Sequence, residues 1–79
     1  MRKRYTIQID DRDLFQLLDG LELRAEAWEK TAEFLRTGYF SSDGLFIAEE
    51  CSKPEEADDI AAHYRSIVTT IREQVEAQR

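Results

Sequence analysis

Apolar residues in the first half of the chain recur at one spacing, and that spacing leaves few folds open. Leu14, Leu18, Leu21, Ala25, Trp28, Ala32 and Leu35 are separated by alternating steps of four and three. Such steps put side chains on one stripe of an α-helix, and their mean of about 3.5 is the repeat at which helices wrap on one another. A strand, with its period of two, cannot present these residues on one face. Leu17 and Phe34 widen the stripe. Asp10 reads as the N-cap, with Asp11 and Asp13 in the first turn, where the helix dipole favours acids. Gly38 stands where a C′ glycine ends a helix. The pattern predicts one helix over 11–37, roughly 40 Å long. Gly20 interrupts it at a cost of about 1 kcal/mol relative to alanine, but the stripe continues in phase across it.

A second stripe follows: Ala57, Ile60, Ala61, Tyr64, Ile67, Val68, Ile71, Val75 and Gln78. Ser52 can cap this helix and Glu55 can complete a capping box, while Pro54 falls in the first turn, where its missing N–H is harmless. Glu55, Glu56, Asp58 and Asp59 load that end with negative charge. The predicted span is 53–78. Two such helices joined by the connection 39–51 are expected to pack antiparallel. Counting outward from the connection places Leu35 near Ala57, Ala32 near Ile60, Trp28 near Tyr64, Ala25 near Val68, Leu21 near Ile71 and Leu18 near Val75. Small residues face larger ones in this register.

Two segments remain. Tyr5, Ile7 and Ile9 alternate with Thr6 and Gln8, which predicts a short strand over 5–9. The connection 39–51 holds the turn-formers Ser41, Ser42, Asp43 and Gly44, and then Leu45, Phe46 and Ile47, which could form a second short strand near 45–48. The expected fold is mainly α: one domain over 1–79, an antiparallel helical hairpin. A chain of 79 residues buries a small core, and Cys51, the only cysteine, cannot form an intrachain disulfide. Leu17, Leu23, Phe34 and Ile67 form an apolar edge large for a monomer. Self-association as a dimeric four-helix bundle is the expected solution.

The net charge of −6 is unevenly placed. Arg2, Lys3 and Arg4 carry +3, and the remainder carries −9. An acidic body argues against a broad nucleic-acid footprint. No apolar run is long enough to span a bilayer, and the MRKR start is not followed by the apolar segment of a secretory leader. With one cysteine, the expectation is a soluble cytoplasmic protein in a reducing compartment.

Little in the sequence points to catalysis. His63 is the only histidine and has no paired nucleophile. Cys51, His63, Glu49 and Glu50 match no structural zinc spacing, so no metal or other cofactor is expected. Gly20, Gly38 and Gly44 are isolated, and no phosphate-binding loop is present. The acidic pairs Asp10-Asp11, Glu49-Glu50, Glu55-Glu56 and Asp58-Asp59 read as caps and solvated faces. The expectation is a non-enzymatic binding protein acting as a homo-oligomer. In the register above, Arg24, Trp28, Thr31, His63, Tyr64 and Arg65 converge near mid-hairpin, an aromatic and arginine cluster suited to a small anionic, nucleotide-like ligand. A protein partner would instead meet Tyr39, Phe40, Leu45, Phe46 and the edge residues. Small acidic helical chains of this kind occur among phage and mobile-element accessory proteins, which occlude a host protein or sequester a ligand.

The alternative comes from the N-terminus. Arg4-Tyr5-Thr6-Ile7-Gln8-Ile9, followed by acids and a helix, resembles the start of ribbon-helix-helix repressors. The resemblance covers about ten residues and implies a DNA-binding regulator in which Arg4, Thr6 and Gln8 read the major groove. The chain departs from that family after the first four turns of helix: residues 24–30, RAEAWEK, carry no turn signal, and the second long helix has no counterpart.

Overall fold

The computed structural model describes residues 2–38 and 51–79. They form two antiparallel helices, α1 (Asp11–Thr37) and α2 (Pro54–Ala77), packed along their length. The bounds of α1 coincide with those read from the stripe, and its caps are chemical. Asp13 donates its backbone N–H to Asp10 Oδ1 at 2.8 Å. Gly38 adopts φ 75° and donates to the Phe34 carbonyl at 2.7 Å. A side chain at that φ would be strained, so glycine is required there.

The start of α2 differs from expectation. Lys53, not Ser52, is the N-cap; its backbone is extended, and its carbonyl accepts from Glu56 and Ala57. Pro54 occupies the first helical position, where its fixed φ is already helical. This leaves Ser52 one residue outside, and the capping box with Glu55 does not form.

The core is a tryptophan set among alanines. Trp28, Ala32, Ala57 and Ala61 are buried together, with Leu35, Ile60, Tyr64 and Cys51 packed around them. Ala25 and Val68 continue it toward mid-hairpin. The expected pairs Leu35/Ala57, Ala32/Ile60 and Trp28/Tyr64 all fall inside this one cluster. Alanines let the helix axes approach, and the indole fills the space their short side chains leave. The indole N–H of Trp28 is buried without a hydrogen-bond partner. That orphan donor costs about 1–3 kcal/mol, which the apolar burial of the ring offsets.

Toward the open end, where the chain begins and α2 finishes, Leu14, Leu18, Leu21, Ile71 and Val75 keep the stripe but are only half-buried. Gly20 does not interrupt α1; it is exposed, and a Cβ built there meets nothing within 4 Å.

Residues 5–9 do not form the expected strand: residues 2–10 have no regular secondary structure. Tyr5 and Ile7 are 81% and 71% exposed. Among the described residues, no hydrogen bond joins 2–9 to another part of the chain. A strand needs a ladder partner, and among the described residues the hairpin offers only helices, whose backbone groups are already paired. The second strand expected near 45–48 lies outside the described residues. No helix among the described residues is long and apolar enough to cross a membrane.

Two substitutions separate the core from the weak point. Trp28→Ala should cost about 3–5 kcal/mol, enough to abolish cooperative melting in a chain this small. Gly20→Ala should stabilise by about 0.5–1 kcal/mol. Far-UV circular dichroism in urea reads both, and a Trp28→Ala variant that keeps wild-type helicity and midpoint would contradict the assigned core.

Candidate interaction surface

The six residues expected to converge on a ligand are divided by the structure among three environments. Arg24 and Tyr64 meet: the guanidinium lies 5.8 Å from the ring centroid, and Nε donates to the phenol oxygen at 3.3 Å. Trp28 is core, 3% exposed. Thr31 is also buried, its hydroxyl donating to the Ala27 carbonyl one turn back. His63 stands exposed, in edge contact with Tyr64 at 6.4 Å. Arg65 is engaged by Glu29 through two parallel bonds of 2.9 and 3.1 Å, and these push its guanidinium further above the ordinary arginine value. The cluster is real in its Arg24–Tyr64 part. Its other cation is held by an in-chain carboxylate, and an anion would have to displace that carboxylate.

Arg65–Glu29 belongs to a longer pattern. Three ion pairs cross between the helices: Arg72–Glu22, Arg65–Glu29 at 2.9 Å and Arg36–Asp58 at 2.6 Å. Glu22, Glu29 and Arg36 recur every seven residues along α1, and Asp58, Arg65 and Arg72 recur every seven along α2. This is the flanking charge pattern of an antiparallel two-helix coil, one heptad per rung. The rungs are half-exposed, so each is worth only about 0–1 kcal/mol. Their value is in register. Sliding α2 by one heptad to bring Arg65 opposite Glu22 sets Asp58 opposite Glu29, and like charges then meet. The sequence carries this signal as the same seven-residue step that marks the core, written in charged residues instead of apolar ones.

Near the start of α2, half-buried Cys51 donates its thiol to the Lys53 carbonyl at 3.3 Å and to Glu56 Oε2 at 3.4 Å. Desolvation, then the bond to the Glu56 carboxylate, push the thiol above its ordinary pKa, which keeps it protonated and weakly nucleophilic. Among the described residues, no group of three histidine, cysteine or acidic side chains could hold a metal ion.

The open end of the hairpin carries a groove of about 1110 Å³ between α1, α2 and the extended N-terminal segment. Its apolar lining comes from Leu14, Phe15, Leu17 and Leu18 on α1, Ile71 and Val75 on α2, and Tyr5, Ile7 and Ile9. Phe15 is 69% exposed and Leu17 41%. Phe15 and Leu17 flank the core stripe on opposite sides, so at this end α1 is apolar over more of its circumference than α2 can cover. Of the expected edge residues, Leu17 and Leu23 are exposed and Phe34 and Ile67 half-buried. Tyr39, Phe40, Leu45 and Phe46 lie outside the described residues. Phe15, which the stripe left out because it falls off phase, is the apolar residue of α1 most open to solvent. Arg4, Thr6 and Gln8 are all exposed on the segment beside the groove.

No family model, curated protein or solved structure matches this chain.

Charge reversal tests the ladder. Arg65→Glu should lower stability by about 1 kcal/mol through the Glu29 contact, and adding Glu29→Arg should recover most of it. Both effects should shrink in high salt. Urea midpoints for the four members of the cycle check this, and strictly additive effects would remove the rung.

Proposed function

We propose that this chain is a non-enzymatic helical binding protein that works as a homo-oligomer, its hairpins pairing into a four-helix bundle. One observation carries the reading: a contiguous apolar surface at the open end, lined from both helices and the N-terminal segment and left uncovered by the chain itself. Patches of that kind on small soluble proteins mark association surfaces. The hairpin is built to hold a shape. The Arg24–Tyr64 and Arg65–Glu29 contacts tie the mid-hairpin residues of the two helices to each other. The acidic faces and the apolar end together suit a basic or amphipathic protein partner, and inhibition by occlusion is the mode of action a rigid hairpin of this size serves best.

Native mass spectrometry of gently purified protein tests this reading. A dimer or larger assembly without a bound small molecule is the expected result. A bare monomer at every concentration would sink it. A discrete extra mass on the oligomer would move the role to ligand sequestration around Arg24 and Tyr64.

A second reading, a DNA-binding regulator of ribbon-helix-helix type, has one observation in its favour. Arg2, Lys3 and Arg4 form an exposed +3 segment with Thr6 and Gln8. Alanine at Arg4, Thr6 and Gln8 together should then abolish retention of duplex DNA at low salt in a gel shift, with helicity unchanged. Wild-type protein that never retains DNA ends that idea.

A further inference from the structure

We propose that the N-terminal segment is a contact for an anionic lipid surface. Arg2, Lys3 and Arg4 meet the headgroups, Tyr5 and Ile7 enter the interface beneath them, and the hairpin stands off the membrane. The proposal asks nothing of Phe15 and Leu17 on α1, so it is independent of the self-association reading above.

Three observations point to it. The first is that the hairpin does not use this segment. Residues 2–10 have no regular secondary structure and are exposed throughout. Among the described residues, no ion pair or hydrogen bond engages the side chains of Arg2, Lys3 or Arg4. Tyr5 and Ile7 are the most exposed large apolar residues of those described. The second is that cations and apolar side chains adjoin. Arg2-Lys3-Arg4 runs directly into Tyr5, Ile7 and Ile9. Each lysine or arginine near an anionic leaflet strengthens binding about fivefold, so three together do so on the order of a hundredfold. Apolar burial in the interface adds to that attraction, and the two together hold where either alone is marginal. Tyrosine suits headgroup depth, with its ring in the apolar layer and its hydroxyl in water.

The third is the distribution of charge. The three cations carry +3 and the remainder of the chain −9. An anionic surface therefore attracts the segment and repels the hairpin, which orients the molecule with its N-terminal segment down. The nearest acids along the chain are Asp10, Asp11 and Asp13, at the start of α1. Asp10 is six residues from Arg4. That is up to about 20 Å of extended chain, against a screening length of about 8–10 Å. These acids also sit at the positive end of the α1 dipole, where Asp10 Oδ1 accepts the Asp13 N–H. Charge alone does not separate a lipid surface from duplex DNA, but the apolar residues do. A phosphate backbone gives Tyr5 and Ile7 nothing apolar to enter, and the layer beneath lipid headgroups does. A fluid surface also takes an irregular segment without the ordering that a shaped protein groove demands.

The experiment is vesicle flotation of the full chain and two variants, with circular dichroism to verify folding. Wild-type protein should float with vesicles of mixed phosphatidylcholine and phosphatidylserine. It should stay behind with phosphatidylcholine alone, and high salt should release it. Arg2→Glu, Lys3→Glu and Arg4→Glu together should abolish flotation. Tyr5→Ser with Ile7→Ser keeps every charge and should weaken binding roughly tenfold. All these positions lie outside both helices, so helicity should match wild type. Wild-type protein that does not float with phosphatidylserine vesicles at low salt overturns the proposal. A Tyr5→Ser, Ile7→Ser variant that floats as well as wild type overturns it too, because the segment is then a contact for any polyanion. Retention of duplex DNA by that same variant in a gel shift would hand the three cations to the DNA-binding reading.

Discussion

Everything else in this small hairpin depends on one indole set among alanines. Trp28 fills the space between the helices where Ala32, Ala57 and Ala61 bring them close, and these four residues form the buried cluster about which Leu35, Ile60, Tyr64 and Cys51 pack. The arrangement is unforgiving in both directions. A smaller residue at 28 leaves a cavity too large for alanines to close over, and a larger one at 57 or 61 forces the axes apart. It also explains why the chain tolerates an unpaired indole N–H. Any rotation of the ring that exposed the nitrogen would withdraw its apolar bulk from the buried cluster with Ala32, Ala57 and Ala61.

Hydrophobic contact of this kind holds the helices together but does not fix their offset, because a heptad repeat looks much the same after a slip of seven residues. The offset is fixed by unlike features at the two ends. Tryptophan occurs once, so only one register sets it against Ala57 and Ala61. The charged rungs are not uniform either: acid lies on α1 in two of them and on α2 in the third. That single reversal makes a slip repulsive although each rung contributes little to stability. Weak surface ion pairs can therefore specify a structure that they barely stabilise.

How much of this the sequence disclosed follows from the range of the forces involved. The helices, the bounds of α1, the glycine stop at Gly38 and the pairings around Trp28 are local or periodic properties, and residue spacing discloses them. The start of α2 was placed slightly early because Ser52 and Pro54 make competing claims, and proline at the first helical position settles the geometry without a side-chain cap. The strand at 5–9 was misread for a different reason. Alternation reports that a segment has one apolar edge, not that a partner exists to receive it. The mid-hairpin cluster was half legible: helical phase predicts that Arg24 and Tyr64 face the same side, but not that Glu29 has already taken Arg65. Phe15 was missed because a stripe defined by its own phase discards residues that stand outside it, and those are the residues that make an outer surface.

The quality of packing also changes along the hairpin, and this gradient bears on what the molecule is for. Near the connection the facing residues are small and dry. Near the open end they are large, Leu14, Leu18, Ile71 and Val75, and yet half-buried. A monomer optimised as a free-standing hairpin would place its bulkiest apolar residues where they are best covered, since each leucine or isoleucine removed fully from water is worth about 1.5–3 kcal/mol. Here the order is reversed. The chain spends its tight, self-sufficient packing at one end and keeps at the other a broad apolar face. Of the surfaces described, the open end is the broadest apolar one, and the close-packed cluster around Trp28 holds together the two helices that present it.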